Sequence, residues 1–176
     1  MKWITRSDVH VDRVACPWLI RRFIDPSAEF LFAPESDLLE RARELGATPY
    51  DAPRIAEIRL NHRGDRCTFE AFLEDYHLTD AGLARLGLIV RTADITGQEH
   101  VAPEGLGLRA VAVGFALTGV SDGERLVAQW PLYDALYAYA SRGACPAGSG
   151  IETRRHRVPV PNENLRFGRA SLRLSL

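Results

Sequence analysis

The chain has 176 residues and a mass of 19.6 kDa, the size of one ordinary domain, and it can bury a core without a disulfide or metal staple. With 46% hydrophobic and 26% charged residues the composition is that of a globular protein, neither disordered nor fibrous, and its longest apolar stretch, Leu106 to Val120, is too short and too interrupted to span a membrane. The formal charge of −1 hides an asymmetry, since residues 142–176 carry seven Arg against two Glu (+5) and residues 1–141 carry 15 basic against 21 acidic residues (−6).

In chain order, Lys2 to Arg6 reads as a short edge strand, with Glu29 to Phe32 and Ile55 to Leu60 as its partners in a small sheet. Between them, His10 to Asp25 is helical and holds two alternatives. If Pro17 opens the helix, Cys16 is its cap and sees the positive helix end, which lowers a thiol pKa. Otherwise the helix runs from Asp12 through a kink at Pro17, and Cys16 is a small buried residue beside Trp18 and Phe23. Ser36 is a plausible N-cap for a helix through Leu38, Leu39, Ala42 and Leu45, closed by a left-handed Gly46.

Further helices are expected over Thr68 to Tyr76, Asp80 to Arg91, Pro103 to Leu117, Ser121 to Ala128 and Pro131 to Ala140. Leu108, Val111, Ala112 and Phe115 have the spacing of a buried stripe, and Ser121 with Glu124 forms a capping-box pattern. After Ser141 the periodicity stops. Residues 142–176 read as an Arg-rich, mobile tail suited to a protein partner; arginines without interleaved aromatics argue against nucleic acid. The fold class is α+β, a mainly helical single domain (1–141) with a small sheet, and a homo-oligomer is open.

Three residue groups can carry chemistry. A strand end near His62, a glycine turn and a helix start near Thr68 bring His62 and Glu70 together, an imidazole and carboxylate suited to a divalent transition metal. Asp94, Glu74 and His77 are candidates to complete the set, but a single Glu-x-x-His does not make a di-iron centre. Arg91 lies three residues before Asp94, where it can hold an oxyanion if that helix end points inward. Three cysteines without a CxxC pair fit neither a disulfide framework nor a zinc knuckle. No Walker loop, GxGxxG, GxSxG or HExxH is present. The N-terminus has no apolar leader, so the expected location is the cytoplasm.

The stretches Val11-Asp12-Arg13-Val14-Ala15-Cys16-Pro17-Trp18-Leu19-Ile20-Arg21-Arg22-Phe23-Ile24-Asp25, His62 with Cys67-Thr68-Phe69-Glu70, Arg91 with Asp94, and Tyr133-Asp134-Ala135-Leu136-Tyr137 resemble the chromate resistance family of the ChrB C-terminal type, from about Trp3 to Ala140. The resemblance implies a stand-alone version of that domain, without the family's extra N-terminal region. It also implies that Asp12, Arg13, Cys16, Trp18, Arg21, His62, Cys67, Glu70, Arg91 and Asp94 share one pocket.

The expected roles are metal binding by His62, Glu70 and Asp94, oxyanion binding by Arg13, Arg21 and Arg91, and thiol chemistry by Cys16 and Cys67. The expected function is chromate-associated binding of a divalent metal or of chromate or a related oxyanion, with sensing or stress response as the role. The alternative is a metal- or thiol-dependent redox enzyme.

Overall fold

A computed structural model describes residues 1–142. Strands β1 (Lys2–Arg6), β2 (Glu29–Ala33) and β3 (Thr48–Pro49) form a parallel sheet in the order β2-β1-β3. Ile4 faces Leu31 on one side and Pro49 on the other. Parallel neighbours require crossovers, and helices supply them: α1 (Val11–Leu19) joins β1 to β2, and α2 (Leu38–Leu45) joins β2 to β3.

Strand alternation divides the core between the two faces. Trp3 and Phe30 point into the large cluster with α1, whereas Ile4, Leu31 and Ala33 point into a smaller one with Leu38 and Ala42 of α2. The crossover helices therefore lie on opposite faces. Open α/β sheets bind ligands in the crevice beside the carboxyl ends of strands whose chains part to opposite faces; here β1 leads to α1 and the large cluster, and its neighbour β3 leads to Ala52 and Ile58 of the smaller one.

The helices α3 (Thr68–Asp75), α4 (Ala81–Asp94), α5 (Glu104–Leu117) and α6 (Asp122–Ser141) complete the α+β domain around the larger cluster. Helix α4 runs one turn beyond its expected end and finishes on Asp94. Where two helices were expected, at Ser121 to Ala128 and from Pro131 onward, one helix runs through Pro131. Leu126, Trp130 and Tyr133, at helical spacing on one buried face, outweigh the lost backbone bond. The Ser121 and Glu124 capping box forms as expected, and Gly46 closes α2 with φ of 60°. On α5, Leu108 and Ala112 are buried as expected, but Val111 is exposed and Phe115 only partly covered.

The third strand is not Ile55 to Leu60. That segment is a series of turns, Ile55 N–H donating to Ala52 and Ile58 N–H to Ile55. The Asn61 amide donates to the carbonyls of Ala52, Ile55 and Ile58 at 2.9, 3.4 and 3.4 Å, which draws the apolar residues into a coil instead of a strand. Helix α1 follows the second alternative and passes through Pro17; residues 20–24 then widen into a π-helical turn. Cys16 is buried in mid-helix and caps nothing.

The described residues include Arg142, which ends α6, but the expected tail beyond it lies outside them. Among the described residues no helix is long and apolar enough to cross a membrane.

Helix α5 packs on α4 through Gly105, where an added Cβ would lie 2.5 Å from Thr92 Cβ and 2.7 Å from the Ile89 carbonyl oxygen, while Gly107 faces open space. Gly105→Ala is expected to destabilise the fold by about 1 to 3 kcal/mol. Gly107→Ala should stabilise it by roughly 0.5 to 1 kcal/mol through helix propensity. Chemical denaturation of the two variants checks the opposite signs.

Candidate metal centre

The crevice at the ends of β1 and β3 is lined with carboxylates. Asp12 lies in the first turn of α1, after a loop held by Asp122, whose carboxylate accepts the N–H groups of Asp8 and Val9. Asp51 lies two residues past the end of β3. Asp94 ends α4, and His62 stands on the turn segment that leads to α3.

The His62 ring gathers these groups. Its Nε2 is 3.4 Å from Asp12 Oδ2, 3.5 Å from Asp51 Oδ1 and 3.2 Å from Asp94 Oδ2. Ligand atoms of Asp12, His62 and Asp94 all lie within 4.8 Å of one another. Two helix N-termini hold the carboxylates in place: Thr68 N–H at the start of α3 donates to Asp12 Oδ2 at 2.6 Å, and Asp12 N–H in α1 donates to Asp94 Oδ1 at 3.3 Å. Backbone donors at such ends favour negative charge.

The charges around the crevice are unevenly matched. Asp51 has Arg13 Nε at 3.4 Å and Arg6 Nη2 at 3.6 Å. Glu70 accepts from Arg91 Nε at 2.8 Å, from Arg91 Nη2, and from Cys67 N–H at 3.1 Å. Among the described residues, Asp12 and Asp94 face only His62 of the cationic groups. Asp12 is 1% exposed, and its Oδ1 has no hydrogen-bond partner among the described residues.

Burial and the neighbouring charge of Asp94 push the Asp12 carboxyl up to about 7, and the carboxylates around His62, Asp12 first, push its imidazole up to about 12. Asp51 moves the other way. Burial opposes its ionisation, but His62, Thr68, Arg13 and Arg6 together hold it below the ordinary carboxylate range.

The residues expected in one pocket are thus divided. His62 and Asp94 meet. Glu70 is turned to Arg91 and to the cap of α3, while Asp12, mapped to the pocket without a role, stands in the third position. The three arginines expected to hold an oxyanion do not converge: Arg13 serves Asp51 and the Ser7 carbonyl, Arg91 serves Glu70, and Arg21 donates to the Ala28 carbonyl beyond the π-helical turn.

Cys16 and Cys67 are fully buried, and burial, reinforced by Asp12, pushes both thiols well above their ordinary range. Of the two alternatives for Cys16, the capped thiolate is not the one that forms. Cys67 does cap α3, yet it too is held as a thiol. Trp18 lies in the core, its Nε1–H donating to Asp134 at 2.7 Å beside a two-pronged Arg22 contact. Glu74 pairs with Arg63 and Arg66, outside the crevice.

The sequence reading missed Asp51 altogether. Its signal, an acid one residue after Tyr50 at the end of a strand, was obscured by assigning the third strand to residues 55–60.

A family model described as ChrB, C-terminal domain, matches residues 3–140. The curated protein named Protein ChrB, from Cupriavidus metallidurans (strain ATCC 43123 / DSM 2839 / NBRC 102507 / CH34), is 38% identical over 143 residues, which are 80% of this chain and 41% of that protein. The chain therefore spans about two fifths of that relative's length. No solved structure gives a significant match.

The raised values of Asp12 and His62 fix the sign of a pH dependence. Both groups bind protons more tightly folded than unfolded, so their contribution is complete below the unfolded values, near 4 for the carboxyl and 6.5 for the imidazole. It is lost as pH rises toward about 7 for Asp12 and about 12 for His62. The melting temperature of metal-free protein should fall between about pH 5 and pH 9, and Asp12→Asn should flatten the lower part of that slope. A melting temperature that rises across this range contradicts the assignment.

Proposed function

The chain belongs to the ChrB C-terminal-domain family, and from that membership we propose that it serves chromate resistance as a metal-binding module, with a divalent cation held by Asp12, His62 and Asp94. The observation that carries this reading is the uncompensated carboxylate pair. Arginines balance Asp51 and Glu70, but Asp12 and Asp94 share one imidazole, and a buried Asp12 oxygen is left without a donor. A divalent cation supplies the missing charge and the missing partner together.

The chemistry of the set agrees. Two carboxylates and one imidazole suit a divalent transition metal of borderline hardness, and no thiol among the described residues joins the set. The placement at the divergence of β1 and β3 is where open α/β sheets bind ligands. Chromate itself is a dianion, and the carboxylates of this crevice repel it. The role proposed is therefore on the cation side of chromate stress, as a sensor or buffer of metal. A metal-dependent redox enzyme remains the second reading, favoured by the partial exposure of His62 and Asp94, 26% and 19%.

Elemental analysis of protein purified without a metal-binding tag and reloaded with Zn(II) or Mn(II) tests the reading. One equivalent of metal per chain is expected. Asp12→Asn, His62→Ala and Asp94→Asn should each weaken binding by more than about tenfold, beyond what loss of an outer partner alone commonly does. Glu70→Gln should keep the metal and lower the melting temperature through its lost Arg91 contact. Failure of wild-type protein to retain any divalent metal overturns the proposal, as does loss of metal in Glu70→Gln alone.

A further inference from the structure

Asp51 stands beside the centre without joining it, and its role rests on the metal reading above. Its backbone is left-handed, with φ of 50°, a region uncommon for non-glycine residues though aspartate enters it more readily than most. Its surroundings are specific: Asp51 N–H donates to the Leu60 carbonyl, Arg6 Nε donates to the Asp51 carbonyl, and Arg13 and Arg6 flank Oδ2. Thr68 Oγ1 donates to Oδ1 at 2.7 Å.

A carboxylate held this firmly has a defined direction. Oδ1 lies 3.5 Å from His62 Nε2, but Asp51 is not within the mutual reach of Asp12, His62 and Asp94. A carboxylate oxygen has two lone pairs. Thr68 fills one, and among the described residues no hydrogen bond fills the other, which His62 Nε2 approaches only to 3.5 Å.

The remaining lone pair of this anchored oxygen lies beside the centre and can accept from a further donor. Three protein ligands leave a divalent cation's coordination incomplete, and His62 and Asp94 are reachable by solvent. A water on the cation would be the donor that Oδ1 accepts from. With two carboxylates matching the cation's charge, the open position suits a neutral or singly charged oxygen donor.

We infer that Asp51 is a positioning residue that orients a water on the cation held by Asp12, His62 and Asp94, so that the centre keeps an exchangeable position for a small oxygen donor instead of being a closed structural site.

The test loads the full chain with Mn(II), follows free Mn(II) by electron paramagnetic resonance, and reads exchangeable bound water by solvent-proton relaxation. The expected result is one bound Mn(II) with strongly enhanced relaxation. Asp51→Asn and Asp51→Ala should still bind Mn(II), more tightly than Asp94→Asn does, but with severalfold faster water exchange.

Thr68→Val leaves Asp51 in place and frees its second lone pair, so it should slow that exchange; it decides the matter if the Asp51 variants do not fold. Bound Mn(II) without relaxation enhancement overturns the open position while the metal reading stands. Folded Asp51 variants that lose Mn(II) as Asp94→Asn does make Asp51 a ligand and overturn its positioning role, and so does exchange unchanged in all three variants. No Mn(II), Zn(II) or other divalent binding by wild type removes the metal reading itself.

Discussion

Everything around the crevice depends on keeping two unbalanced carboxylates side by side. At the separation of Asp12 and Asp94, within 4.8 Å, two full charges would repel by about 3 to 4 kcal/mol at the effective dielectric of a protein surface, and burial with that repulsion raises the Asp12 carboxyl to about 7. The repulsion is borne by backbone donors from two helix N-termini and by an imidazole that all three nearby carboxylates hold in its charged form. The charged His62 is thus the cation that these carboxylates share in the protein itself.

The same bonds link the fold to the site. Asp12 connects α1 to α3 through Thr68 and to α4 through Asp94, so each ligand also ties its helix to a neighbour. Asp51 connects the end of β3 to β1 through Arg6 and to α3 through Thr68. Glu70 with Arg91, and Asp134 with Arg22 and Trp18, fasten α3 to α4 and α6 to the α1 region from outside the crevice. Arginine is used here mainly to anchor carboxylates and carbonyls, which its planar fork suits. Its abundance in the sequence therefore points to architecture more than to an anion ligand.

The α+β class, the first two strands and most helices were legible because apolar periodicity and caps such as Ser121 and Gly46 are local. His62 was legible as a candidate, paired with Glu70, and Asp94 as one of three residues to complete the set, because an imidazole at a strand end and carboxylates on the helices after it suit a divalent metal. Glu70 was read as their partner because local spacing cannot show Arg91 arriving from another helix, 21 residues away in the chain. Asp12 and Asp51 are set by the topology of a sheet whose third strand is two residues long. Alternation cannot mark so short a strand, and the more regular Ile55 to Leu60 drew the assignment instead. The course of the chain through Pro17 and Pro131 was likewise decided by burial on both sides, which outweighs a local break.

The proposed cation lies between Asp12, His62 and Asp94, with Asp51 beside it. The most direct measurement is an anomalous-difference map from a crystal loaded with a divalent transition metal, collected on both sides of that metal's absorption edge. A single peak within bonding distance of Asp12, His62 Nε2 and Asp94 is the predicted result. A peak at Glu70, or an ordered crevice with no peak in metal-soaked crystals, contradicts it.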